Sequence, residues 1–286
     1  MLPPGDSRGP GSCPNRIAGL ILRRLIIRPG AIGDCILALP AMQHLAAVAD
    51  YSEVWVPRII VPLIQFGDAS RALSATGLDL MGLGDLPTEA GLAAHLKSFD
   101  HIVSWYGTKR PEFRAAMDAL GVPSDFYPAL PTSDYSGHAV DFFSEQVGAI
   151  RGLQPRIHVN PTEPRDSVVI HPFSGSQRKN WPLESFRELA DRIKTNVEWC
   201  TGPEESLRGA TRLDNLAELA AWIRGARLYI GNDSGITHLA AATGVPVLAI
   251  FLASDPDIWA PRGNNVTALQ NPTVKQVLEE ANRLLG

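Results

Sequence analysis
Residues 227–251 hold a strand, a helix and a second strand in one short run, and this arrangement constrains the fold more than any other part of the chain. The runs RLYI at 227–230 and VLAIF at 247–251 read as strands, and the Ala-rich stretch 235–242 reads as the helix between them. Parallel strands need a crossover of this kind, so the unit is βαβ. The same alternation recurs along the chain. Further strands are expected at 25–28, 53–56, 101–105, 167–171 and 197–200, and further helices at 34–48, 89–97, 111–120, 139–151, 183–194, 216–224 and 274–285.

The segment 154–164 carries Pro155, Pro161 and Pro164 and reads as a linker. An α/β protein of two doubly wound domains facing a central cleft is therefore expected, the first over 20–160 and the second over 161–286. In such sheets ligands bind outside the carboxyl ends of the strands. Residues 1–19 read as a disordered leader, because no charged stretch leads into an apolar one. No apolar run approaches the roughly 20 residues that span a bilayer.

A formal net charge of −4 and a pI near 6.0 argue against nucleic-acid binding as the main role. The cysteines Cys13, Cys35 and Cys200 are far apart and odd in number, which points to neither a disulfide framework nor a zinc site and fits a reducing cytoplasm.

Three loops at strand ends carry the polar chemistry. In the first, Asn232, Asp233, Ser234 and Gly235 make a strand-to-helix turn whose free N–H groups and helix dipole favour a diphosphate. A helix cap explains one polar residue there, but His238 lies one turn on, on the face shared with Ser234 and Gly235. The second is HPFSGSQRKNW at 171–181, where Ser174, Gly175 and Ser176 offer hydroxyls and open backbone beside Arg178 and Lys179. Small donors next to a cation suit a diphosphate leaving group. The third, 28–34, has a Gly30-x-x-Gly33 spacing that falls short of a dinucleotide fingerprint, with Asp34 at the helix start. From this loop alone, a cap and a functional carboxylate are equally good readings of Asp34.

The segments IIRPGAIGDCILALPAMQHL, VVIHPFSGSQRKNWPLESFRELADRI and GNDSGITHLAAATGVPVLAIFLASDPDIWAPRG resemble the signature blocks of glycosyltransferase family nine, the ADP-heptose:lipopolysaccharide heptosyltransferases and their relatives. The resemblance runs in order from Leu25 nearly to the end. It implies a GT-B fold of two Rossmann-like domains, with the last helix returning to the first domain. It also implies an inverting transfer that needs no metal and no cofactor. The donor would be ADP-heptose or a related nucleotide-sugar, and the acceptor an anionic lipopolysaccharide-core or other glycolipid, met by a cytoplasmic enzyme at the inner membrane face.

Carried over position by position, Asp34 matches the general base and Lys179 the cation facing the leaving diphosphate. Ser174, Gly175 and Ser176 match phosphate contacts, and Asp233, Ser234, Gly235 and His238 match a DTGxxH donor signature with Ser in place of Thr. Arg28 and Gly33 fall on the acceptor side, with Arg23 and Arg24 as further steering cations. The segment 200–216 is shorter than the family's usual nucleoside frame; Ala217 stands where a ribose-binding Glu is found, and Asp214 and Glu218 are the nearby substitutes. That shortening keeps two alternatives open, a nucleotide-binding GT-B protein with reduced or lost transfer and a nucleotide-sugar epimerase.

Overall fold
Among the residues that the computed structural model describes, 21–83, 89–160, 163–202 and 205–286, eleven strands form two sheets whose neighbouring strands all run parallel. The leader expected at 1–19, Cys13 and Pro161 of the expected linker lie outside them. The first sheet begins with β1 (Arg23–Ile27), followed by α1 (Ile32–Leu37), α2 (Leu39–Ala47), β2 (Tyr51–Val56) and β3 (Ala69–Ala72). It continues through α3 (Ala90–Leu96), β4 (His101–Ser104), α4 (Pro111–Asp118), β5 (Ser124–Phe126) and α5 (Ala139–Gln146). Its order is β3-β2-β1-β4-β5.

The second sheet starts with β6 (Ser167–His171), α6 (Leu183–Arg192), β7 (Asn196–Thr201), β8 (Thr211–Arg212) and α7 (Leu216–Arg224). Then come β9 (Leu228–Asn232), α8 (Gly235–Thr243), β10 (Val247–Phe251), α9 (Pro256–Trp259), β11 (Val266–Gln270) and α10 (Val274–Leu285). Its order, β11-β10-β9-β6-β7-β8, is the doubly wound Rossmann order read from the other edge. The chain reverses direction across each sheet between β1 and β4 and between β6 and β9. Crevices open at those points, beyond the carboxyl ends of the strands. Every residue of β6, β9 and β10 is buried, as strands covered by helices on both faces must be.

Four strands escape the sequence reading: β3, β5, β8 and β11 are edge or near-edge strands of two to five mostly half-exposed residues, too short or too polar to stand out from loops. The helix expected at 34–48 is two helices that meet at Ala38, because Pro40 has no N–H to continue the ladder. The last helix does not return to the first domain. Val277 and Ala281, one turn apart on α10, are fully buried in a cluster with Val168, Phe186, Leu228 and Leu248 of the second domain, which uses up the helix's apolar stripe.

The two domains meet along α1 and α8, where Gly33 and Gly235 let the helices approach closely. A Cβ on Gly235 would lie 2.6 Å from Ile32 Cβ, and one on Gly33 would lie 3.1 Å from the His238 ring. A second contact joins α5 to the chain after α9: Arg262 holds Asp141 through a paired hydrogen bond of 2.5 and 2.8 Å. The His138 Nε2 donates to the Ala260 carbonyl at 2.8 Å, since its Nδ1 accepts from Val140 N–H.

Candidate active site
The second domain's half of the site is assembled around Asn232, the buried last residue of β9. Its amide donates to the Pro172 carbonyl at 2.8 Å and accepts from Trp181 N–H at 2.9 Å, fastening the 172–181 loop to the turn that begins α8. Ser234 caps α8 by accepting from Thr237 N–H. The Asp233 carboxylate, 5% exposed, receives Lys179 Nζ at 2.8 Å and the Ser254 hydroxyl. Lys179 is itself 37% exposed, so its ammonium is part-solvated and open to a second anion.

In the first domain, Gly30 at φ +122° turns the chain after β1 in a conformation closed to ordinary side chains, and the Asp34 carboxylate packs over it. Asp34 Oδ2 accepts from Ala31 N–H at 3.1 Å. Its Oδ1 has no partner among the described residues. Asp34 is therefore not the N-cap, which is Ala31, but ties the helix start from its third position with one oxygen and leaves the other on the cavity.

These halves enclose one cavity of about 270 Å³. Gly33 and Asp34 line it from the first domain; Gly175, Ser176, Lys179, Asp233, Ser234, Gly235 and His238 line it from the second. His238 is buried, and burial pushes its imidazole down to about 4 against the opposing pull of Asp233, with His138 and Lys179 adding to the depression. It is neutral near pH 7 and able to donate or accept a hydrogen bond. Among the described residues, no three His, Cys, Asp or Glu side chains stand close enough together to hold a metal ion.

Several expected residues lie elsewhere. The Arg28 guanidinium is fully buried, donates to the carbonyls of Ala129 and Asp34, and rests 4.5 Å over the Phe143 ring; it braces the β1 loop and cannot meet an acceptor. Arg23 and Arg24 sit in β1 with their side chains bonded to the carbonyls of Ser98 and Leu45, at the opposite end of the strand. The Ser174 hydroxyl is turned into its own loop, 2.8 Å from the Ser176 carbonyl and 2.7 Å from Asn180 Oδ1. Asp214 pairs with exposed Arg212, and Glu218 lines a different cavity with Gln65 and His158.

Residues not foreseen include Ser254 and Trp259, the latter on the cavity wall, while Asn232, placed in the turn by the sequence, serves as its buried fastening to the 172–181 loop. Exposed Arg58 and Lys109 follow β2 and β4, on either side of the Asp34 loop at the same sheet edge. Only strand order brings them there, and strand order is not written in local sequence. Cys35 and Cys200 are buried free thiols that burial pushes up to about 12, which removes them as nucleophiles.

Two parallel-sheet domains that share a site at facing switch points define the GT-B architecture. Residues 143–284 match the family model described as glycosyltransferase family 9 (heptosyltransferase). The lipopolysaccharide heptosyltransferase 3 of Escherichia coli is 28% identical over 193 residues, which are 59% of this chain and about half, 52%, of that protein. The lipopolysaccharide core heptosyltransferase OpsX of Haemophilus influenzae is 23% identical, with 84% of this chain and 81% of the relative aligned. Among solved structures, the Escherichia coli ADP-heptose lipopolysaccharide heptosyltransferase II superposes with a TM-score of 0.70 at 16% identity, over 92% of this chain and 98% of that one. The chain belongs to glycosyltransferase family 9. No helix among the described residues is long and apolar enough to cross a membrane.

Proposed function
We propose that this chain is an inverting, metal-independent glycosyltransferase that moves heptose, or a closely related sugar, from ADP-heptose to a lipopolysaccharide-core or other anionic glycolipid. The observation that carries the reading is the single cavity in which Asp34 of one domain faces Lys179 and the Asp233–His238 turn of the other. A sugar hydroxyl is a poor nucleophile at neutral pH, so a carboxylate within reach is needed to take its proton as it attacks. Asp34 Oδ1 is the acceptor for that proton. As the bond to the anomeric carbon breaks, charge grows on the diphosphate, and Lys179 with the N–H groups at the start of α8 meets it. Attack from the side opposite the leaving group inverts the anomeric centre. The relatives' own names speak for the donor and acceptor classes, and Arg58 and Lys109 are the cations nearest in sheet order for an anionic acceptor.

A thermal-shift panel over ADP, GDP, UDP and their sugars tests the donor, since a ligand that binds only the native state raises stability by RT ln(1 + [L]/Kd). Transfer to a heptose-deficient lipopolysaccharide core, with the new bond's anomeric configuration read by NMR, tests the reaction. Retention of configuration would refute the mechanism. Binding of nucleotide without transfer would favour the catalytically reduced reading, which the two-residue β8 and the tight turn into α7 keep alive. An isomerised donor would favour an epimerase.

A further inference from the structure
We propose that Trp259 is the platform on which the transferred sugar lies, and so a specificity-determining residue for that sugar; the inference rests on the donor reading above. The cavity's chemistry has a direction. Lys179 and the α8 turn mark the diphosphate end, Asp34 marks the attacking hydroxyl, and the transferred ring must occupy the space between them. Among the described residues, Trp259 is the one Phe, Tyr or Trp side chain on that cavity's wall, and His238 the other ring. At about 270 Å³ the space is small for a whole nucleotide-sugar but suits its sugar–diphosphate end.

The indole is half-buried, and its N–H has no partner among the described residues. One part of the ring packs against the hydrophobic core, and the part left on the cavity, a broad aromatic surface with a free donor at its edge, matches a sugar ring, whose C–H face is apolar and whose rim carries hydroxyls. Its position is also fixed from both flanks. Upstream, Ser254 donates to Asp233, and Asp255 caps α9 by accepting from Asp257 N–H at 2.9 Å. Downstream, Ala260 accepts from His138 and Arg262 grips Asp141, both on the first domain. The ring is therefore held by the donor turn on one side and by the acceptor domain on the other, and it is presented correctly only while the domains are docked.

The test compares affinities by calorimetry for ADP-heptose and for ADP on wild type, Trp259→Phe and Trp259→Ala, with melting temperatures as the folding control. Trp259→Ala should lose about tenfold or more in affinity for ADP-heptose while its affinity for ADP stays within twofold, and Trp259→Phe should recover most of the loss. Equal losses for both ligands, or no loss for either, would overturn the proposal. Wild type judges the donor reading separately. If it prefers another nucleotide-sugar, the same comparison runs with that sugar and its parent diphosphate; if it binds none, the donor reading and this inference fall together.

Discussion

Replacing Gly235 by Ala puts the division of the site between two domains under direct strain. The added Cβ would stand 2.6 Å from Ile32 Cβ and 3.0 Å from Gly33 N, both on the other domain. Non-bonded carbons rest at about 3.5–4.0 Å, so α1 and α8 must part by roughly 1 Å. Overpacking of this kind costs about 1–3 kcal/mol, partly offset by the helix preference of Ala over Gly, worth at most about 1 kcal/mol. Melting should therefore fall by only a few degrees. Activity should suffer far more, because α1 carries Asp34 and α8 opens the diphosphate turn, and a misplacement of about 1 Å costs on the order of a hundredfold. ADP affinity should hardly change, since the turn and Lys179 belong to one domain. Gly33→Ala, whose Cβ meets the His238 ring at 3.1 Å, should show the same pattern more weakly. Calorimetry, scanning calorimetry and transfer rates on the two variants decide it. A wild-type transfer rate in Gly235→Ala, or a larger defect in Gly33→Ala, would refute the idea that this helix contact sets the distance between base and donor.

Asp34→Asn keeps the bond to Ala31 N–H but not the proton acceptor, so folding and ADP affinity should persist while transfer falls roughly a hundredfold to ten-thousandfold; a full transfer rate excludes Asp34 as the base. Lys179→Ala should lose on the order of a hundredfold in turnover, and equal activity would remove its part in leaving-group stabilisation. Asp233→Asn should hold or raise the affinity for bare ADP and lower that for ADP-heptose, measured by calorimetry; parallel losses would count against the charge argument. His238 and His138 are both held below their ordinary value by burial, so the unfolded chain takes up protons that the folded one refuses: stability present above about pH 6.5 should be lost as pH falls toward 4, and His238→Gln should flatten that slope in melting temperature.

The central strands were legible because full burial leaves an apolar run, as in VLAIF at β10. The edges were not, since β3 and β5 bury little and carry Ser, Arg or Asp. Loop geometry was legible where a side chain bonds its neighbours in the chain, as Asp34 does with Ala31 and Ser234 with Thr237. It failed where the answer depends on which way a side chain turns. Arg28 follows a strand and looks available, yet the space above Phe143 takes its guanidinium inward. Ser174 stands next to two cavity residues but spends its hydroxyl on Asn180. Trp259 had no local signal, because its segment is placed by bonds that its neighbours Ala260 and Arg262 make to His138 and Asp141, more than a hundred residues earlier.

Where a diphosphate is proposed to bind, a buried carboxylate looks like a contradiction, and its resolution bears on the order of events in the proposed reaction. With His238 neutral, the cavity sets Asp34 and Asp233 against the single ammonium of Lys179. An arriving diphosphate adds negative charge to walls already short of positive charge, so the N–H groups of α8 and Lys179 must serve it first. Lys179 is then shared, and Asp233 keeps only Ser254 unless the ligand brings donors of its own. The transferred sugar brings hydroxyls beyond the diphosphate, on the side of Asp233, whereas the hydroxyls of bare ADP sit on its ribose at the other end. In the proposed reaction Asp233 would therefore favour the intact donor over the product ADP, and loss of the sugar on transfer would remove the hydrogen bonds that offset its repulsion. The residue whose charge opposes phosphate binding would thus discriminate substrate from product, which is why its replacement by Asn should lower the affinity for the intact donor but not that for ADP.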